Sequence, residues 1–130
     1  MTEDRSGSAD LQPAIRVLMM PRDTNALGTI FGGIILSYID QAGAIGAHTR
    51  VAGRLVTVAM REVEFHAPVF VGDLVSFFTS IVRVGTTSVT VKVLVEVARR
   101  GTPQRVQVTE AEVIYVRVDE DGRPQSIDPS

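Results

Sequence analysis

The sequence contains no cysteine. That absence excludes a disulfide scaffold, a thiolate metal site and a cysteine nucleophile, and it suits a reducing cytoplasm. No apolar run reaches the ~18–20 residues that a membrane-spanning helix needs. The first ten residues, Met1 to Asp10, are polar and mostly acidic, unlike a signal or transit peptide. Excess positive charge is missing as well. Thirteen Lys and Arg against fifteen Asp and Glu give a formal charge of −2 and a pI near 5.6, which disfavours nucleic acid as a partner. No G-x-S-x-G elbow and no Gly-rich phosphate loop of the Walker or dinucleotide type occurs. There is no internal repeat and no low-complexity linker between the two polar ends. At 130 residues the chain fits one domain with a core of its own.

What is present is branched. Val, Ile and Thr number 20, 9 and 11, against 7 Leu, while aromatics are only 5% of the chain. Such a balance favours strands over helices. The reading is a cytoplasmic, strand-rich single domain with no membrane association.

The one convincing helical stretch is Phe31 to Arg50, which has no proline. Ile34, Ile35, Tyr38, Ile39, Ala42 and Ile45 form a broad apolar stripe at helical spacing. Gly33, Ser37, Asp40, Gly43, Ala44 and Ala47 form a second stripe, all small except Asp40. This predicts a sheet on the apolar side and a second, closely approaching neighbour on the small side. From Leu55 the period changes to two. Strands are predicted at Leu55 to His66, Leu74 to Val84, Val89 to Val97 and Arg105 to Val118, after a short one within Ile15 to Met20. Gly85-Thr86-Thr87 and Gly101-Thr102-Pro103 read as hairpin turns. Four strands in meander order with one packed helix make an antiparallel α+β layer.

Asp40 is the first candidate for chemistry, as a general base or a nucleophile. The structural alternative is a solvated Asp on an outer helix face. Against it, no Lys, Glu or Arg lies between Phe31 and His48, where an exposed face would carry them. Gly32 and Gly33 open the helix with unobstructed N–H groups, suited to an anion or oxyanion; the alternative is a tight turn. Gly33 and Asp40 lie ~10 Å apart along one stripe, too far to touch one atom, so a site shared between subunits enters consideration. Asn25 can orient a carbonyl or a water, although loop asparagines are most often turn formers. His48 reads as a helix C-terminal cap. With His66 it makes no recognisable metal site. Arg83 beside Gly85, Thr86, Thr87 and Ser88 can hold a phosphate, or is a surface Arg next to a turn.

Taken in order, several motifs resemble one family: Met20-Pro21-Arg22-Asp23-Thr24-Asn25, Gly28, Phe31-Gly32-Gly33 and Asp40, then Val63-Glu64-Phe65-His66-Ala67-Pro68-Val69 with Gly72-Asp73. Gly85-Thr86-Thr87-Ser88-Val89 and Val118-Asp119 with Gly122-Arg123-Pro124 continue the set. The chain resembles the hotdog-fold acyl-CoA thioesterases, in the acyl-CoA hydrolase branch that holds the brain cytosolic enzyme and short bacterial relatives, from about Val17 to Pro129. It departs from that pattern at Ala26-Leu27 and Arg117. The resemblance implies a long central helix wrapped by a curved antiparallel sheet, dimers with sites at their interface, and a trimer of dimers. It further implies that Asp40 is catalytic, with Asn25 of the facing subunit opposite it. The amides of Gly32 and Gly33 would polarise the thioester carbonyl. Arg83, Gly85, Thr86, Thr87 and Ser88 would contact CoA, which is part of the substrate; no cofactor and no metal are implied. The expected layout is a flexible tail over 1–13, a hotdog domain over 14–120 and a polar tail over 121–130. The expected activity is hydrolysis of acyl-CoA to fatty acid and CoA. Two alternatives stand beside it: a non-catalytic module that binds acyl-CoA, and a structural oligomer with an unused cleft.

Overall fold

The computed structural model describes residues 12–127. Of the expected N-terminal tail, residues 1–11 lie outside the described residues, as do 128–130 at the other end. The elements are β1 (Ile15–Leu18), α1 (Gly32–His48), β2 (Arg54–Phe65), β3 (Leu74–Val84), β4 (Ser88–Ala98) and β5 (Arg105–Val118). A 3-10 turn at Pro21–Asp23 precedes the helix. All five strands form one antiparallel sheet in the order β1-β3-β4-β5-β2, curled around the helix.

β4 explains the core most directly. Val89, Val91, Val93, Val95 and Val97 all turn to the helix side and are fully buried. Each buried Val contributes roughly 1.5–3 kcal/mol relative to exposure, and its branched side chain fills the pleated surface without rotamer loss. Val75 and Phe77 from β3, Val113 and Tyr115 from β5, and Ile35 and Ile39 from α1 complete the layer.

The meander holds for β3, β4 and β5 but not for β2. Instead of lying beside β3, β2 pairs with β5 at the far edge of the sheet. The reason is the link at 66–73, which does not turn back. His66 N–H donates to Val108 O at its start, Ile30 N–H donates to Val69 O midway, and Gly72 N–H donates to Met19 O at its end. Eight residues reach up to ~26–29 Å, enough to cross the end of a curled sheet from the β5 side to the β1 side. The crossing runs beneath the start of α1. β2 itself breaks register twice, and Glu62 at the second break has φ of 54°.

The helix also departs from expectation. Its buried residues are Ile35, Ile39, Ala42, Gly43, Gly46 and Ala47, so the small stripe faces the sheet along the second half. Ile45, expected against the sheet, is 47% exposed. The cause is close approach: a Cβ on Gly43 would lie within van der Waals overlap of the Tyr115 hydroxyl, and one on Gly46 would be 2.5 Å from Thr79 Oγ1. The sheet is therefore itself the closely approaching neighbour. No helix among the described residues is long and apolar enough to cross a membrane.

Beyond β5 the chain turns at Asp119–Gly122 and comes back. Gln125 N–H donates to Arg117 O and Ile127 N–H to Thr86 O, which ties this return to the β3–β4 hairpin.

Candidate functional site

Asp40 lies in the third turn of α1, half-buried. Its Oδ1 accepts a hydrogen bond of 2.8 Å from the Thr57 hydroxyl on β2. Its main-chain carbonyl accepts another, 2.6 Å, from the Tyr115 hydroxyl on β5. Thr57 and Tyr115 are register partners across β2 and β5, so one cross-strand pair holds this helical residue by both its carboxylate and its backbone. Burial, followed by the charge of the Asp40 carboxylate and its hydrogen bonding, pushes the Tyr115 phenol well above the ordinary tyrosine range. It therefore stays a donor. Thr57 was not singled out in the sequence; its only local signal is a hydroxyl inside an otherwise apolar run from Leu55 to Met60.

Two turns earlier the helix begins at Gly32, with Phe31 as its cap residue and no side-chain cap. The N–H groups of Gly32 and Gly33 have no intrahelical acceptor, as for the start of any helix. Phe65 lies over Gly32, 3.6 Å from where a Cβ would be, and the Phe31 ring covers Gly33. Beside them opens a cavity of about 280 Å³, lined by Ile30, Gly32, Ile35, Phe65, Pro68 and Val69 among others. Its far wall is the 66–73 link. An apolar cavity next to aligned N–H donors is suited to an acyl chain whose carbonyl oxygen needs polarising.

Asn25 has the turn-forming role that loop asparagines usually have. Its Oδ1 accepts from Leu27 N–H at 2.8 Å and Thr29 N–H at 3.2 Å, while Nδ2 donates to Thr29 Oγ1 at 2.9 Å. These bonds shape the loop and leave one Nδ2–H to spare. All stay within residues 25–29, so a single chain does not bring Asn25 onto Asp40 through them.

Arg83 is exposed near the end of β3, and the turn after it closes through Gly85 N–H to Ser88 O at 2.7 Å. Thr86 and Thr87 spend their carbonyls on Ile127 N–H and Arg117 N–H, which leaves their side chains outside the turn's backbone bonding. Ser88 pairs with Val116 and Val89 with Tyr115. The hairpin thus starts at the strand row that carries Tyr115 and Thr57. The structure brings the hairpin to the Asp40 end of the sheet, and Gly32, Gly33 and the cavity to the other end of the helix.

His48 is in the last turn of α1, but its Nδ1–H donates at 3.0 Å to Val51 O, in the link after the helix, and not to a carbonyl of the helix end, whose cap residue is Thr49. His66 does something the spacing did not show. Its Nε2 is 3.0 Å from Glu110 and 3.6 Å from Glu64, and Lys92 Nζ is 3.3 Å from Glu110. The hydrogen bond from His66, more than the nearby Lys92, holds the Glu110 carboxyl below the usual carboxylate range. Glu64, His66 and Glu110 offer ligand atoms close enough to share a metal ion, but Lys92 already occupies one side of Glu110.

The family model described as the thioesterase superfamily matches residues 27–104. The acyl-CoA thioester hydrolase YciA of Salmonella typhimurium is 43% identical over 129 residues, covering 97% of this chain and 96% of that protein. Cj0915, a hexameric hotdog fold thioesterase of Campylobacter jejuni, superposes with a TM-score of 0.83 at 44% identity, over 89% of this chain and 90% of its own. HI0827, a hexameric broad-specificity acyl-coenzyme A thioesterase, gives a TM-score of 0.84 at 38% identity, over 99% of this chain and 90% of its own.

Proposed function

The chain belongs to the thioesterase superfamily, and from that premise we propose that it hydrolyses acyl-CoA to a fatty acid and free CoA at a site shared by two subunits. The observation that carries this reading is the Asp40 carboxylate, held by Thr57 and standing two helical turns from the open N–H groups of Gly32 and Gly33. Asp40 accepts a proton from water as that water attacks the thioester carbon. The carbonyl oxygen gathers negative charge opposite the Gly32 and Gly33 amides, the tetrahedral intermediate collapses with cleavage of the C–S bond, and the departing thiolate takes the proton back from Asp40 to leave as CoA. A positioned base supplies ~10²–10⁴-fold and one oxyanion donor ~3 kcal/mol.

The ~10 Å between Gly33 and Asp40 is why one copy is not enough. With a facing subunit, the Asp40 of one copy meets the Asn25 loop and helix start of the other. The remaining Asn25 Nδ2–H then orients the water or the carbonyl. β2 offers the surface for such pairing: it is the outer strand of the sheet, twelve residues long, with Val56, Val58 and Phe65 exposed along it. The hexameric relatives support a trimer of dimers for this chain, as a homohexamer. Arg83, with the hydroxyls of Thr86, Thr87 and Ser88, contacts the phosphates of CoA. The reaction needs no cofactor, and the enzyme works in the cytoplasm as a hotdog domain over 14–120 between polar ends.

Thiol release from short, medium and long acyl-CoAs tests this. Turnover in the parent and its near-complete loss in Asp40→Asn, with CoA binding kept, is the expected result. Saturable CoA binding with no thiol release from any acyl-CoA would instead mark a binding module.

A further inference from the structure

Tyr115 sits beneath the helix rather than in the cleft, and its ring is fully buried. A mid-helix carbonyl already has an acceptor role in the helix ladder, so the 2.6 Å bond from Tyr115 to Asp40 O is an addition to it. That second bond is made possible by Gly43. A side chain there would occupy the place of the phenol oxygen, since a Cβ would be only 3.1 Å from Tyr115 Cζ and nearer still to the oxygen. Gly43 is three residues past Asp40, one turn along the same helix face. An internal helical glycine costs ~1 kcal/mol relative to Ala, and this one admits a hydroxyl that grips the residue one turn before it.

We propose that Tyr115 is a positioning residue for Asp40, acting through the helix backbone, and that Gly43 is the gap that lets it do so. The bond fixes the height and rotation of the helix over β5 at the one residue whose carboxylate must meet the water. Thr57, directly across from Tyr115, then takes the carboxylate itself. Main chain and side chain of Asp40 are thereby referred to the same pair of strands. This inference rests on Asp40 being the base, and it adds a residue that touches neither substrate nor water.

Tyr115→Phe keeps the ring and removes only the hydroxyl. The expected result is a kcat about five- to tenfold lower, the equivalent of one neutral hydrogen bond, with KM within about twofold of the parent. Gly43→Ala displaces the hydroxyl without removing it, so it provides the second measurement should Tyr115→Phe fold poorly. It should lower kcat further and lower thermal stability. Combining it with Tyr115→Phe should recover part of the lost stability, because the nearest crowding atom is gone while the ring carbons at 3.1 and 3.2 Å remain, but leave kcat at the Tyr115→Phe level. An unchanged kcat in Tyr115→Phe, a rise in KM alone, or a Gly43→Ala enzyme identical to the parent overturns the proposal. Asp40→Asn, assayed alongside, separates the two levels. If it is inactive while Tyr115→Phe is unimpaired, only the positioning role falls. If it retains parent turnover, both fall.

Discussion

The Thr57 hydroxyl lies 2.8 Å from Asp40 Oδ1, joining the edge strand of the sheet to the middle of the helix. Hydrogen bonds to charged groups contribute about 1.5–3 kcal/mol, so this contact is worth more than its single hydroxyl suggests. Thr57→Val keeps the branched shape and removes the donor. Turnover should fall at least tenfold, whereas Thr57→Ser, which keeps the hydroxyl, should retain most of it. Equal rates for the two variants would show that the hydroxyl does not matter.

The helical glycines differ in what surrounds them. On Gly46 a Cβ would be 2.5 Å from Thr79 Oγ1 and 2.7 Å from Thr79 Cβ, inside a closed contact. Gly46→Ala should therefore cost about 1–3 kcal/mol, read as a lower denaturant midpoint with an unchanged slope. On Gly32 the nearest atom would be 3.6 Å away on the exposed Phe65 ring, an ordinary contact. Gly32→Ala should fold as stably as the parent. Its effect should be confined to acyl-CoA turnover.

Arg99 fastens the wall of the cavity. It donates from Nη2 to Pro68 O at 2.6 Å and from Nε to the buried Asp73 at 3.4 Å, and its guanidinium lies 5.1 Å from the Phe70 ring centre. Arg99→Met retains the aliphatic stem and loses all three contacts. Stability should drop by about 1–3 kcal/mol, with the Asp73 carboxylate losing its cation. With the acyl chain in the cavity that Pro68 and Val69 line, KM should rise more for long acyl-CoAs than for short ones. A uniform change across chain lengths would place the acyl chain elsewhere.

Glu110 supplies a pH signature. Its carboxyl is held below the ordinary glutamate range by His66 first and by Lys92 after it. A depressed carboxyl contributes stability above its unfolded value and loses it as pH falls through the folded one. The parent should thus lose some stability on acidification below about pH 4.5, and Glu110→Gln should lose less over the same window. The pairs are largely solvated, so the difference should remain under about 1 kcal/mol. Equilibrium unfolding at pH 6 and at pH 3.5 measures it. Identical acid losses in the two proteins would remove Glu110 from the account.

Much of the fold was legible because it is local. Alternating valines over Val89 to Val97 specify a strand with one buried face, and that is what β4 is. The place of β2 was not legible. Its partner is chosen by where the 66–73 link travels, and nothing in the period-two pattern of β2 encodes that. Asp40 stood out because the helix lacks other charges around it. Thr57 did not, since its significance lies in a contact 17 residues away on a different element. The same holds for His66 and Glu110, 44 residues apart in sequence yet sharing a hydrogen bond. The helix was legible where Ile35, Ile39 and Ala42 of the apolar stripe are buried, and its second half was not, for a different reason. Apolar side chains were expected to face the sheet, but where the helix comes closest to β3 and β5 there is room only for Gly43, Gly46 and Ala47. Along that half, volume and not hydrophobicity decides which side turns inward.

The pairing of β2 with β5 also sets a timetable for synthesis. β2 ends at Phe65 and its partner starts at Arg105, so the ribosome makes the link, β3 and β4 between them. At ~5–20 residues per second, β2 waits roughly 2–8 s for the strand that will cover its hydrogen-bonding groups. During that interval Val56, Val58 and Phe65 have nothing of their own chain to pair beside. Arg54, Arg61, Glu62 and Glu64, spread along the same strand, keep the unfinished edge charged. Those charges are of most use to the nascent chain, before the sheet they belong to has closed.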